Sequence, residues 1–452
     1  MNRSHVTFIF LLTAVLLAGC RIGSEEEDQG RLKLMSSFDK MSFNAYYGGS
    51  QFEASYPNYE VEYVNTTDHI GIFGASWGWD RFKSLLQSEK PDVIAVSSPD
   101  VYFKLIDEGL LQDMSTLARK DEFTLDAVHP AVASQLKSPN ASHELYGLAP
   151  FFNPEALYVN KTLFERFKVK LPEGELTWEE MLETASQFPG KDENDQRIYG
   201  FHFRAYSTPG FYMDYLSDLE GLRLIHDDKL TVDQPAWRKI IERLLHAVKR
   251  NALSFASHSG AVGNDPEAAG EEPFLQGRVA MFQANAAFIE MLNKRQVPFE
   301  WQVVPRIASS DRRMNAQPWP SPVYVMYRDA ENSAAAWKYI RHMNDSATLK
   351  LLSKSVPQLP SHTDVIAERF GENLEPFYVM KSNPVNMADF YKPLTVSPFF
   401  RSEKLHPIID EAFGLLLEGK LDLDETVAYI KDKGQAAYDL AREEFKAEAG
   451  QG

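Results

Sequence analysis

Short strands alternating with short helices fill the first 150 residues, and that alternation restricts the chain to architectures built around a largely parallel sheet. Leu32-Lys-Leu-Met-Ser-Ser-Phe38 alternates and reads as a strand. Tyr59-Glu-Val-Glu-Tyr-Val64 repeats the period of two after the Pro57-Asn58 turn. Residues 81–87 read as a helix, and Pro91-Asp92 then opens the apolar strand Val93-Ile-Ala-Val96. Asp100 stands where it can cap the following helix, which turns Val101, Tyr102, Leu105 and Ile106 inward and ends at Gly109. Together these segments predict βαβ units in an α/β lobe.

From Tyr158 onward helices dominate. Thr177-Trp-Glu-Glu180 is a capping box, followed at helical spacing by Met181, Leu182, Ala185 and Phe188. Asp233 is positioned to cap a helix whose inner face carries Trp237, Ile240, Ile241, Leu244, Leu245 and Val248. Near the C-terminus, Ile408, Ile409, Ala412, Phe413, Leu416 and Leu417 mark a helix that stops at Gly419, and Asp422 with Glu425 forms a second capping box. Residues 257–273 are rich in Gly, Ala and Glu and read as an exposed loop. At 452 residues the chain suits two or three domains.

The one cysteine, Cys20, excludes an internal disulfide and any zinc or iron–sulfur cluster built on cysteine. Its position carries more meaning. Arg3 and the amino terminus precede the apolar run 6–17, which is too short to span a bilayer core, and the run ends in Leu17-Ala18-Gly19-Cys20. A short apolar stretch closed by small residues is a secretory signal, and Leu-Ala-Gly-Cys resembles the bacterial lipobox. On that reading residues 1–19 are removed, Cys20 carries the lipid, and residues 20–30 form a polar leash. The expected address is the extracytoplasmic face of the cell membrane.

Chemistry is mostly absent from the motifs. Asp and Glu outnumber Lys and Arg, 64 to 47, giving a net charge of −17 and no basic run, which excludes nucleic acid as a partner. The eleven histidines show no metal-binding spacing, no phosphate loop or dinucleotide motif occurs, and no cofactor or metal is expected. Asp192-Glu-Asn-Asp195 begins like a calcium loop, but Arg197 occupies the place of the required glycine, so a polar turn fits better. Gly74-Ala-Ser-Trp-Gly78 matches the nucleophile-elbow pattern, yet no clear strand feeds it and no histidine is singled out as its partner.

Four ordered stretches carry a resemblance. They are Phe52-Glu-Ala-Ser-Tyr-Pro-Asn-Tyr-Glu-Val-Glu-Tyr63, Lys90-Pro-Asp-Val-Ile-Ala-Val96 leading to Leu105-Ile-Asp-Glu-Gly-Leu-Leu111, Leu145-Tyr-Gly-Leu-Ala-Pro150 with Asn153-Pro-Glu-Ala-Leu-Tyr-Val-Asn-Lys161, and Phe274-Leu-Gln-Gly-Arg-Val-Ala-Met-Phe282 with Phe299-Glu-Trp-Gln-Val-Val-Pro305. The set is similar to the family 1 extracellular solute-binding proteins of ABC importers, the group that contains maltose-binding protein. Gln317-Pro-Trp-Pro-Ser-Pro322 departs from it, standing where the family often has a Gly-rich segment.

The resemblance implies two α/β lobes of the type II periplasmic-binding-protein fold, joined by a hinge, with the ligand in the cleft between them. The N-lobe is expected to comprise residues 31–149 and 305–356, and the C-lobe 150–304 and 357–452. Open sheets bind ligands beyond the carboxyl ends of their strands. That rule selects Phe38, Asp39, Tyr46 and Tyr47, then Ser97, Ser98 and Asp100. Phe152 and Asn153 at the crossover follow, with Gln283, Asn285, Phe288, Trp319, Phe399 and Phe400. Core packing competes with the cleft for Phe38, Phe288 and Phe399, and helix capping competes for Asp39 and Asp100. The implied function is a monomeric, lipid-anchored receptor that delivers a sugar, expected to be an oligosaccharide, to the transmembrane subunits of an ABC permease. A lipid-anchored polysaccharide hydrolase or lyase, and a solute sensor acting through a kinase, are the competing readings.

Overall fold

The computed structural model describes residues 29–71, 78–137, 144–203, 208–250, 252–253, 270–315, 319–365, 374–381, 396 and 400–449. Cys20 with the rest of the signal segment, Phe399, and most of the 257–273 loop and of the Gly74–Gly78 motif lie outside these residues. In chain order the strands are β1 (Gly30–Ser36), β2 (Tyr59–Asn65), β3 (Val93–Val96), β4 (Gly147–Leu148), β5 (Phe151–Phe152), β6 (Glu155–Asn160) and β7 (Tyr199–Phe203). They continue with β8 (Ile225–His226), β9 (Lys229–Leu230), β10 (Val279–Asn285), β11 (Trp301–Pro305), β12 (Val323–Met326) and β13 (Leu359–Pro360).

Two sheets organise two lobes. The first has the order β2-β1-β3-β12-β4 and the second β11-β6-β10-β7. The parallel arrangement expected for the first lobe holds where β1 pairs with β2 and β3. It breaks at β12, which runs antiparallel to β3 and β4 because the chain re-enters this sheet from the opposite end. Short pairs β5–β13 and β8–β9 complete the pairing.

Each sheet is covered on both faces. In the first lobe Leu32, Leu34 and Tyr324 pack on Phe43 and Phe52 and on the helix Ser333–Met343. Its other face puts Met35, Ile94 and Val96 against Phe82, Tyr102 and Leu105 of the helices Trp79–Glu89 and Pro99–Asp107. In the second lobe Leu157, Val159, Phe201 and Met281 meet the helices Trp178–Ala185, Pro209–Leu219, Pro235–Lys249 and His406–Leu417. A fully buried residue such as Phe201 or Ile241, both at 0 % exposure, stabilises the fold by about 1.5–3 kcal/mol. Gly200 lets a helix end lie directly on β7, since a Cβ there would come within 2.1 Å of the Ala185 carbonyl oxygen.

Both capping boxes form. Thr177 N donates to Glu180 Oε2 at 2.8 Å and Glu180 N donates to Thr177 Oγ1 at 3.2 Å. Asp422 and Glu425 exchange the same pair of bonds at 2.8 Å each. Two expected caps are displaced. Pro235 opens its helix behind Gln234, leaving Asp233 to pair with Lys431, and Pro99 opens its helix behind Ser98, leaving Asp100 inside the first turn. Proline favours the first helical position, where its missing N–H costs nothing and its φ is already helical. The 192–195 turn closes as read, with Asp192 Oδ1 accepting from Asn194 N and Gln196 N at 2.9 Å each.

The chain leaves the first lobe after β4 and enters β6 through β5. Its return falls later than 305. Trp178 N donates to Ala308 O at 3.0 Å, Ala308 N donates to Leu176 O at 2.8 Å, and Arg312 Nη2 reaches Glu180 Oε1 at 2.6 Å. These bonds hold residues 306–315 on the second lobe, so the crossing lies between Asn315 and β12. The first lobe likewise extends beyond 356, because Val365 packs into its core.

Backbone bonds tie the crossing segments together. β5 pairs with β13, Ser361 N donates to Pro150 O at 2.9 Å, and His129 N and Thr363 N donate to Ser361 O and Ala127 O at 2.7 Å each. An apolar cluster runs without a break from Val96 and Tyr102 through Phe152, Leu359 and Tyr378 to Tyr158 and Phe282, joining the lobes through the hinge.

Three imidazoles lie in or near these packed regions, and burial holds each below the ordinary histidine value: His129 against Phe152 and Tyr378, His342 against Phe52 and Tyr56, and His362 beside Ser346 and Asp364. An unfolded chain takes up these protons near about pH 6.5, while the folded chain does so only at lower pH. Stability is therefore complete above that point and falls as the pH drops through it. We expect the unfolding temperature to decrease between about pH 7.5 and about pH 5.5, and His362→Asn to flatten that decrease. Calorimetry of both proteins across the interval checks it; identical slopes would exclude His362 as a contributor.

Candidate functional site

Topology fixes which strand ends face the other lobe. β6 is entered directly from the crossing, so Glu155 lies at the interlobe end of the second sheet. Register carries the rest of that edge, because Pro305 pairs with Ala156, Asn285 with Glu155, and Gln283 with Phe203 on the far side. Arg306, one residue past β11, therefore comes beside Glu155. In the first sheet β12 starts from the returning segment and Val323 pairs with Val96, which puts Ser97 and Ser98 at the facing end. Both ends are loop-bearing and carboxyl-terminal for their parallel strands, the usual place for a ligand in an open α/β sheet.

The second-lobe end opens into a cavity of about 580 Å³ lined by Glu155, Phe203, Phe211, Tyr215, Glu271, Gln283 and Arg306. The helix Pro209–Leu219 supplies Phe211 and Tyr215 one turn apart on one face. Its N-terminus is fixed by Thr208, whose Oγ1 accepts from Phe211 N at 3.3 Å, and by Asp410, whose Oδ1 accepts from Gly210 N at 2.8 Å. Phe203 meets Phe211 edge-on at 5.4 Å and Tyr215 at 4.7 Å, giving two aromatic walls. The floor is polar. The Tyr215 hydroxyl donates to Gln283 Oε1 at 2.9 Å, Gln283 Nε2 donates to Glu155 Oε2 at 2.8 Å, and Arg306 Nη2 stands 3.3 Å from the same oxygen. Burial pushes the Tyr215 phenol upward, so it stays a neutral donor.

An open recess of about 460 Å³ in the first lobe is lined by Phe38, Asp39, Lys40, Glu62, Tyr63, Asn65, Asp68 and others. Asp39 is also a helix cap, accepting from Ser42 N at 3.0 Å and Ser42 Oγ at 2.7 Å, and the backbone bond from Ser42 leads in holding its carboxyl below the usual range. Phe38 is half-buried against Tyr47, at 5.1 Å between ring centroids. Trp319 packs on Tyr102 and Phe103 at 5.6 and 5.8 Å, and its indole N–H is buried without a hydrogen-bond partner.

The residues expected from sequence thus divide. Gln283 sits in the floor of the second-lobe cavity, and Phe38 and Asp39 line the first-lobe recess. Ser97, Ser98 and Asn153 lie at or beside the facing ends with exposed or half-buried side chains, and Tyr46 is 52 % exposed. Asp100 lies in the first turn of its helix, half-buried. Asn285 spends its side-chain oxygen on a turn, accepting from Ala287 N at 3.2 Å. Four aromatics are corrected to core positions, the first being Tyr47, 9 % exposed and packed on Phe38 and Phe43 in the first-lobe core. Phe152 packs on Tyr378 in the hinge, Phe288 on Tyr158 and Phe282, and Phe400 on Tyr438, all at 4 % exposure or less. Their apolar faces are consumed by neighbouring rings. Glu155, Phe203, Phe211, Tyr215 and Arg306 carry no local sequence signal for the site, although Glu155 lies in the Asn153–Lys161 stretch and Arg306 directly follows Pro305.

The profile of the bacterial extracellular solute-binding protein family matches residues 34–348. Among solved structures, UspC of M. tuberculosis aligns with a TM-score of 0.61 at 16 % identity, covering 90 % of this chain and 100 % of that one. The sugar-binding protein MalE of Xanthomonas citri aligns at 0.61 and 14 % identity, over 92 % and 99 % of the two chains. An ABC substrate-binding protein of Listeria monocytogenes in complex with cycloalternan aligns at 0.56 and 16 %, over 94 % and 100 %. At these identities the likeness shows the fold. No curated protein matches the chain in sequence.

The shared carboxylate oxygen makes a stability prediction. Removing Glu155 leaves Arg306, 8 % exposed, without its counter-charge, while Glu155 itself is 33 % exposed and partly screened. Glu155→Ala should therefore destabilise by about 1–3 kcal/mol, below the cost of breaking a fully buried pair. Glu155→Gln, which keeps a hydrogen-bonding side chain, should cost less. Urea unfolding of the three proteins measures both, and an unchanged midpoint in Glu155→Ala would show that the pair contributes nothing.

Proposed function

Because the chain belongs to the bacterial extracellular solute-binding protein family, we propose that it captures a carbohydrate between its lobes and delivers it to an ABC permease. The cavity at the facing end of the second sheet carries this reading: it sets aromatic walls, Phe203, Phe211 and Tyr215, against a polar floor, Glu155, Gln283 and Arg306. Sugar rings present apolar CH faces to such walls and hydroxyls to such floors. A size of about 580 Å³ in one lobe alone supports a ligand larger than one sugar ring. Phe38, Ser97, Ser98 and Trp319 would meet it from the first lobe.

Delivery follows from closure. A ligand shifts the lobes toward the closed form only by the affinity difference between the two forms, so it must touch both. Contacts from the second lobe alone would bind without closing. The receptor reading leaves no role for a nucleophile, and the family is one of binding proteins, so the hydrolase reading is not carried forward.

A lipid on Cys20 and the polar residues 21–30 would hold a monomeric receptor at the outer face of the cell membrane, raising its concentration at the permease. Among the described residues no helix is long and apolar enough to cross a membrane.

Thermal unfolding of the chain without residues 1–23, against mono- and oligosaccharides, polyols and peptides, tests the ligand class. A ligand at about 100 times its Kd adds about 2.7 kcal/mol. We expect one sugar class to raise the unfolding temperature without being consumed; a shift confined to peptides would overturn the carbohydrate reading. Cys20→Ser is expected to abolish incorporation of labelled palmitate and move the protein from the membrane to the soluble fraction. Unchanged membrane retention without label would overturn the anchor.

A further inference from the structure

Arg306 is the cationic group in the lining of the second-lobe cavity. Its guanidinium faces one carboxylate oxygen at 3.3 Å, and that oxygen already accepts from the Gln283 amide at 2.8 Å. It also lies over the Tyr215 ring, 5.5 Å from the centroid. Nε and Nη1 are sealed from solvent and have no hydrogen-bond partner. Buried donors are nearly always paired, and an unpaired one gives up its hydration without return. The side chain is 8 % exposed, so bulk water does little to spread its charge.

We infer that the cavity takes a sugar bearing a carboxylate, of the uronic-acid class, whose carboxylate accepts from Arg306 while its ring faces Phe203 and Phe211. This rests on the carbohydrate reading above and specifies it. A neutral sugar hydroxyl would accept from the guanidinium but add no charge to that of Glu155, the partly exposed carboxylate that already faces it. A ligand carboxylate would add a second counter-charge, and charge-assisted bonds of this kind are about twice as strong as neutral ones. The remaining charged lining, Glu155 and Glu271, limits the ligand to a single negative charge at this point. A phosphate would set its second charge against two carboxylates, and the chain's net charge of −17 repels polyanions at a distance.

The test compares D-galacturonate and D-glucuronate with their methyl esters and with D-galactose and D-glucose, as monomers and as short oligomers, on the full chain in detergent. Titration calorimetry reads affinity. The acid is expected to bind at least about tenfold tighter than its ester, which keeps the shape and removes the charge. The preference should shrink at high salt. Arg306→Gln should erase the difference between acid and ester. Should that variant not fold, the comparison of acid and ester on the unaltered chain decides alone. Equal binding of acid and ester, or binding of neutral sugars only, would overturn the acidic-sugar assignment and leave the carbohydrate receptor standing. Binding of neither acids nor neutral sugars would overturn both.

Discussion

The fold depends on one strand arriving late. β12 inserts between β3 and β4 as the antiparallel member of the first sheet, and its hydrogen bonds to both are what complete that lobe. More than 150 residues separate β4 from β12, and they build the second sheet in the interval. Neither lobe is thus a continuous piece of chain. The crossing segments are forced to lie side by side, and the strand ends that border them are forced to face each other. That two loop-bearing strand ends face each other is a consequence of connectivity before any particular side chain is considered.

Side chains then determine what that site can hold. On the second lobe, Tyr215, Gln283, Glu155 and Arg306 form a chain of polar contacts in which each group orients the next. Such a chain fixes rotamers in advance, so less side-chain freedom is lost when a ligand arrives. The aromatic walls are held with similar firmness, since Phe203 packs on both Phe211 and Tyr215.

Much of this architecture is legible in the residues. Strict alternation at 59–64, the wholly apolar 93–96 run and the Thr177–Glu180 and Asp422–Glu425 boxes are local signals, and each forms where it is expected. The second-lobe site is not local. Arg306 meets Glu155 because β11 and β6 pair antiparallel in one register, and Tyr215 reaches Gln283 from a helix 68 residues away in sequence. No spacing rule exposes those meetings. Aromatics after a strand were ambiguous for a related reason: Phe288 and Phe400 have the same local setting as a cleft residue, and only the rings stacked on them show that their faces are used. Proline displaced the caps at Asp100 and Asp233 because its backbone preference outweighs a side-chain bond offered one or two positions away.

The joint between the lobes is made of interlocked side chains. Phe152, Leu359 and Tyr378 continue the cores on either side, so the two bodies share one unbroken apolar interior. Such a joint has a rest angle set by packing. Rotating the lobes displaces rings from their contacts, and protein interiors resist that because they are as dense as organic crystals. Any change in the angle between the lobes would have to move rings that both cores share, so the side chains that fill the joint also fix the angle at which the two bodies stand.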